Sequence, residues 1–234
     1  MRKGITYGLI TTVVFSVVGF LNLQNFYRRP NLLERNDQIS DEMNSNILQS
    51  FGAKRQFKHL LVMFTSYKEI KIIPHHLLAR EAVLRNWPKF KAYIKPVVFL
   101  KFTNSSFAKR ARLAGWDVLQ MKKTNTAGTP CLKDMYQMIF DNYESMLYGY
   151  ANGDILFDDS IVKTLLGIQK KIILLDHNVM MTGRRTNVPI DLNVSWTSAD
   201  FQGDRLRKLA KEKGSLIPPY AIDYFFFTKE GKHS

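Results

Sequence analysis

Residues 147–160 read LYGYANGDILFDDS. An apolar and aromatic run ends at Asn152-Gly153-Asp154, and a second apolar triplet, Ile155-Leu156-Phe157, begins at once. The first run has the length of a buried strand. Asn-Gly followed by Asp is ordinary turn chemistry, and a hairpin folding YAN back on ILF accounts for it with no function at all. The other reading makes the run a strand of a parallel sheet, with Asn152, Gly153 and Asp154 at its carboxyl end, where such sheets bind ligands. Glycine there lets the chain turn or lets a ligand come close. Aspartate there offers a hard oxygen to Mg2+ or Mn2+, ions that also bind phosphate oxygens. The flanking sequence has to choose between the two.

Outward from this point, strand-length apolar runs alternate with helical spacing. HLLVMF (59–64), PVVFLKF (96–102) and WDVLQM (116–121) read as strands. PHHLLAREAVLRNW (74–87), SSFAKRARLAG (105–115) and CLKDMYQMIFDNYESM (131–146) read as helices. Ser105 suits an N-cap and Gly115 a stop, and Leu132, Met135, Tyr136 and Ile139 share one face. KKTNTAGTP (122–130) is loop chemistry. This alternation predicts βαβ units and a largely parallel sheet, an α/β domain that begins near Phe57. Asp158 and Asp159 suit the start of a following helix. DRLRKLAKEKG (204–214) reads as an exposed basic helix.

The chain has 234 residues, is 45% hydrophobic and carries a net charge of +14. That charge favours an anionic partner or simply a basic surface. No Lys/Arg run, RNA-binding signature or zinc-finger spacing points to nucleic acid. The single cysteine, Cys131, excludes an intrachain disulfide and reads as a packed thiol. His75 and His76 have no third ligand in view and read as structural or exposed. Residues 4–21, GITYGLITTVVFSVVGFL, are uncharged over 18 positions, long enough for a transmembrane helix and without a clean cleavage site. The predicted organisation is a short cytosolic end (1–3), a signal-anchor (4–21), a polar stem (22–56) and a lumenal domain (57–234). That is a type II single-pass protein of the Golgi or endoplasmic reticulum. Sequons at Asn104 and Asn193 suit a glycoprotein.

The ordered series is a first strand ending in TSY, two βα units, GTPCLKDMY and YGYANGDILFDD, then TGRRTNV (182–188) and AIDYFFFTKEG (221–231). It resembles nucleotide-diphospho-sugar transferases of the GT-A fold, over about residues 57–231. The resemblance implies a Rossmann-like GT-A sandwich with a mostly parallel sheet. It implies transfer of a sugar from a nucleotide diphosphate donor to a hydroxyl of a glycan or glycoconjugate, with Mn2+ or Mg2+ as cofactor. Carried over by position, Asp154 matches the second, metal-binding aspartate of an Asp-x-Asp motif. Asn152 stands at the first, where an amide oxygen replaces a charge. Thr65, Ser66 and Tyr67 match the loop that meets the nucleotide, and a plain βα loop accounts for them equally well. Arg184 is the diphosphate candidate, and Arg185 reads rather as a solvated corner or an ion pair. Asp223 is the candidate catalytic carboxylate, or else it caps a strand. The resemblance also implies further elements beyond the YFFFT strand, so the domain is expected to be incomplete at that end. Asn152 and the early stop leave a second reading open, a membrane-anchored nucleotide-sugar-binding or scaffold protein with little or no activity.

Overall fold

The strand His59–Ser66 (β2) holds six consecutive buried residues between half-buried ends, the pattern of a strand covered on both faces. Leu61 and Met63 point into one core, Val62 and Phe64 into another. Such a strand requires helices on both sides, and the surrounding sequence supplies them. The computed structural model describes residues 7–13, 57–67, 74–126, 128–175, 178–191, 203–218 and 222–229.

Ile94–Leu100 (β3) pairs parallel with β2, and Asp117–Gln120 (β4) pairs parallel with β3. Ser145–Ala151 (β5) pairs parallel with β2 on its other side. Tyr224–Phe227 (β10) runs antiparallel to β5, and Met180–Thr182 (β7) antiparallel to β10. The order is β4-β3-β2-β5-β10-β7, a mixed α/β architecture with a mainly parallel central sheet. Pro74–Asn86 (α1), Ser106–Leu113 (α2) and Ser160–Leu175 (α4) contribute to the larger core. Leu132–Asn142 (α3) covers the opposite face through Met135, Tyr136 and Ile139. The basic helix Gly203–Lys213 (α5) buries Leu206 and Ala210 and leaves most of its charges outside.

Helix ends follow the local chemistry. The Ser105 hydroxyl accepts from the Ala108 amide, and Gly115 takes φ +94 just past the end of α2. The helix expected to run to 146 stops at Asn142. Tyr143 is already extended there, and the Tyr148 hydroxyl bridges the junction, accepting from the Ser145 amide and donating to the Tyr143 carbonyl.

The hairpin reading of residues 147–160 does not hold. β5 stays in the central sheet, whereas Ile155–Phe157 (β6) leaves for a second sheet. There β6 pairs parallel with Tyr7–Val13 (β1), and β1 pairs antiparallel with Thr186–Asp191 (β8). Ser215–Leu216 (β9) closes that sheet beside β8. Residues 7–13 belong to the stretch expected to span a membrane. They are strand here, in keeping with the β-branched Ile10, Thr11, Thr12 and Val13. The rest of 4–21, the stem 22–56 and the sequon at Asn193 lie outside the described residues. No helix among the described residues is long and apolar enough to cross a membrane. The other sequon residue, Asn104, is exposed.

A side-chain clamp secures β6. Asn86, 1% exposed, donates from Nδ2 to the Phe157 carbonyl at 2.9 Å and accepts the Phe157 amide on Oδ1 at 2.8 Å. It stands in for a neighbouring strand. Next to it, Trp87 Nε1 donates to the Ile155 carbonyl at 2.8 Å while its ring stacks on Trp116. Replacing Asn86 by leucine strands two buried backbone groups, so Asn86→Leu is expected to destabilise the domain by about 2–4 kcal/mol. Urea unfolding followed by tryptophan fluorescence checks this, and a loss under about 0.5 kcal/mol refutes the clamp.

Candidate functional site

β3 and β4 step away from β2 to one side and β5 lies on the other. The strand order therefore reverses between β2 and β5, which opens a crevice at their carboxyl ends. Two segments line it, Ser66-Tyr67 after β2 and Asn152-Gly153-Asp154 after β5. Their register is fixed by pairs such as Phe64 with Tyr150. A cavity of about 190 Å³ lies here, lined by Ser66, Tyr67, His76, Arg80, Gly153 and Asp154 among others.

Tyr67 organises the floor. Its hydroxyl donates to the Gly153 carbonyl at 2.7 Å, and its ring meets Phe107 edge-on at 5.3 Å. The Arg80 guanidinium lies over the same ring, 4.6 Å from its centroid, a cation–π contact. Burial pushes the Tyr67 phenol well above its usual range, with Arg80 opposing the shift and Asp154 adding to it. Tyr67 is thus a neutral donor, and Arg80 and Asp154 both lie close enough to act on it electrostatically. The glycine of the opening motif is required by this ring. A Cβ on Gly153 would lie 2.3 Å from Tyr67 Cε1, and the turn is closed by the Ile155 amide bonding the Asn152 carbonyl.

Asn152 is held from the other side. The antiparallel pairing of Tyr224 with Ala151 sets Asp223 opposite Asn152, and the Asn152 amide donates to the Asp223 carbonyl at 2.9 Å. Asn152 Nδ2 then donates to Asp223 Oδ1 at 2.8 Å. Arg185 bonds the same oxygen and also donates from Nε to Asn187. With its nitrogen committed to Asp223, Asn152 has its amide oxygen turned away from that carboxylate.

The structure groups the residues singled out in the sequence unevenly. Ser66, Tyr67 and Asp154 line the cavity, and Asn152 adjoins it. Thr65 is wholly buried beneath them, with the Tyr150 hydroxyl facing it and Ser66. Arg184 donates from Nε to the Ile217 carbonyl at 2.9 Å, so it is Arg185 that reaches the Asn152-Asp223 pair, as an ion pair. Asp158 caps α4 by accepting from the Ser160 amide and hydroxyl. Arg80 and His76 were not anticipated. Their i, i+4 spacing on the helix following TSY was the available signal, and it reads equally as solvated helix surface.

No family model matches this sequence, and no curated protein matches it.

For the expected cation, the donor set is thin. Asp154 supplies one carboxylate and Asn152 an amide oxygen, and no cluster of three His, Cys, Asp or Glu exists among the described residues. That set fits Mg2+ or Mn2+ held by one carboxylate together with phosphate oxygens and water, and does not make an all-protein cage. On packing alone, Gly153→Ala is expected to cost about 1–3 kcal/mol by displacing the Tyr67 ring. In a double-mutant cycle, Tyr67→Leu should absorb most of that loss. Additive losses would mean that the glycine serves something other than the ring.

Proposed function

We propose that the crevice between β2 and β5 binds a nucleotide diphosphate sugar and that the protein is glycosyltransferase-like. One observation carries this reading. Asn152, Gly153 and Asp154 stand at the strand-order reversal of a mainly parallel sheet, with Arg80 beside them on the Tyr67 ring. A cation stacked on an aromatic ring in the same cavity as Asp154 suits a diphosphate, because guanidinium binds two phosphate oxygens at once. Tyr67 and Gly153 keep the wall rigid, and Ser66 offers a hydroxyl to the ligand. A divalent ion bound at Asp154 and Asn152 would neutralise charge building on the diphosphate as it leaves. In transfer, the bond from the sugar's anomeric carbon to phosphate oxygen breaks. A bond to the acceptor hydroxyl oxygen forms, and the hydroxyl proton passes to a base. Holding the acceptor in line supplies much of the rate.

Membrane attachment in the Golgi or endoplasmic reticulum forms part of the proposal and rests on the uncharged stretch 4–21. The same residues cannot form β1 and a membrane helix together, so an anchored protein requires β1 to leave its sheet. Resistance to alkaline carbonate extraction, with a mobility shift after endoglycosidase treatment, is the expected result. Release by carbonate argues against the anchor.

Binding of UDP or GDP is expected in the micromolar-to-millimolar range, about −8 to −4 kcal/mol. Arg80→Met should cost about 1.5–3 kcal/mol of it, with Arg80→Lys restoring only part. Asp154→Asn should abolish any strengthening of binding by Mn2+ while leaving the melting temperature nearly unchanged. Calorimetry with and without Mn2+ measures all of these, and equal affinity in wild type and variants removes the site. A product assay over a panel of glycan acceptors separates a transferase from a protein that only binds the donor.

A further inference from the structure

Helix α2 buries Ala108 and Ala111 and turns Lys109 and Leu113 outward, at the i, i+4 spacing that puts two side chains on one face. Leu113 is 89% exposed, and Phe102, in the loop between β3 and α2, is 51% exposed. Exposed apolar residues scattered singly are common, but these two are tied together. Arg112 Nη1 donates to the Thr103 carbonyl at 2.8 Å, which joins the loop bearing Phe102 to the last turn of α2, next to Leu113. Cations surround them. Lys101 Nζ lies 5.3 Å from the Phe102 ring centroid, and Lys109, Arg110 and Arg112 are exposed along α2. From Lys101 to Trp116 the chain carries these four basic residues and no Asp or Glu. Lys122 adds another exposed cation just past β4, where the Met121 amide bonds the Leu100 carbonyl. Arg110 is compensated by Glu81. Among the described residues, no carboxylate pairs with Lys101, Lys109, Arg112 or Lys122.

We propose that this face docks on an anionic lipid surface. Leu113 and Phe102 enter the headgroup layer, and Lys101, Lys109, Arg112 and Lys122 meet the lipid phosphates and carboxylates. Charge complementarity selects an anionic partner. The leucine selects lipid, because the boundary of the acyl chains takes up an exposed aliphatic side chain. Nucleic acid has phosphates for the cations and bases to stack on Phe102, but it gains nothing from Leu113. The inference is independent of the donor-site reading. It also differs from anchoring through residues 4–21. Residues 7–13 are paired with β6 and β8, and a chain that keeps those pairs meets a membrane only from its surface. Phe107 of the same helix packs edge-on against Tyr67, so docking fixes the orientation of the crevice relative to the lipid.

The test is co-sedimentation of the full chain with vesicles of phosphatidylcholine alone and of phosphatidylcholine with phosphatidylserine, mixed at about two to one. Asn104 lies in the docking loop, so the unglycosylated chain is used. Wild type is expected to bind the serine-containing vesicles at least about tenfold more tightly, with an affinity that falls as salt rises. The double variant Lys101→Glu/Lys109→Glu should lose at least about tenfold of that binding. Leu113→Ser and Phe102→Ser should each lose at least about threefold. Equal binding of wild type to the two kinds of vesicle, or binding to neither, overturns the inference even if a variant fails to fold. Binding to serine-containing vesicles that none of the variants weakens also overturns it, since the contact then lies elsewhere in the chain. A duplex DNA arm covers the other polyanion. If the charge variant weakens both DNA and vesicle binding while Leu113→Ser weakens neither, the face is a general polyanion site and the lipid reading falls.

Discussion

The fold depends on how the chain crosses from one sheet to the other at residues 152–157. Ala151 is the last residue of a strand in the central sheet, and Ile155 the first of a strand in the second. A segment that changes sheets leaves backbone groups without ladder partners, and in a buried position each must be satisfied. Asn86 and Trp87 do this, bonding Phe157 and Ile155 from the end of α1. The clamp ties the helix after β2 to the strand after β5. The two sides of the crevice are therefore joined beneath it, and Asn152, Gly153 and Asp154 are held between fixed points.

Above the clamp, the site is arranged by charge. Tyr67 is a protonated phenol at neutral pH, and burial pushes it further above its usual range, so it serves as a neutral donor and a platform for Arg80. The opposite wall uses a compensated pair, Arg185 with Asp223, to hold the Asn152 amide in one orientation. An aspartate in place of Asn152 would set two carboxylates side by side at Asp223, a repulsive arrangement. An asparagine at 152 thus suits the Asp223 neighbour, to which it donates from Nδ2.

Much of this could be read from the sequence. The strands near 59, 96 and 116 and their helices follow from hydrophobic period, because a strand buried on both faces and an amphipathic helix leave different patterns. Ser105, Gly115 and Asp158 were legible because caps act over two or three residues. Asp154 was legible as a candidate because the carboxyl ends of parallel strands are the places where ligands bind, whereas Ser66 and Tyr67 were candidates only through the family resemblance.

The sequence by itself determined the α/β class and the parallel core, since both follow from local hydrophobic period, whereas the turn chemistry of Asn152-Gly153-Asp154 left a hairpin open. Only the tertiary structure decided which distant residues meet there. The pairing of β10 with β5 brings residue 223 to residue 152, a separation of 71 positions. The same fold sends Arg185, rather than Arg184, to Asp223 and leaves Arg184 bonded to Ile217. It also pairs residues 7–13 as a strand with β6 and β8, a partnership between distant segments that an apolar run does not announce. Burial demands only that backbone groups be paired, and an apolar β-branched run satisfies that demand in either a helix or a sheet.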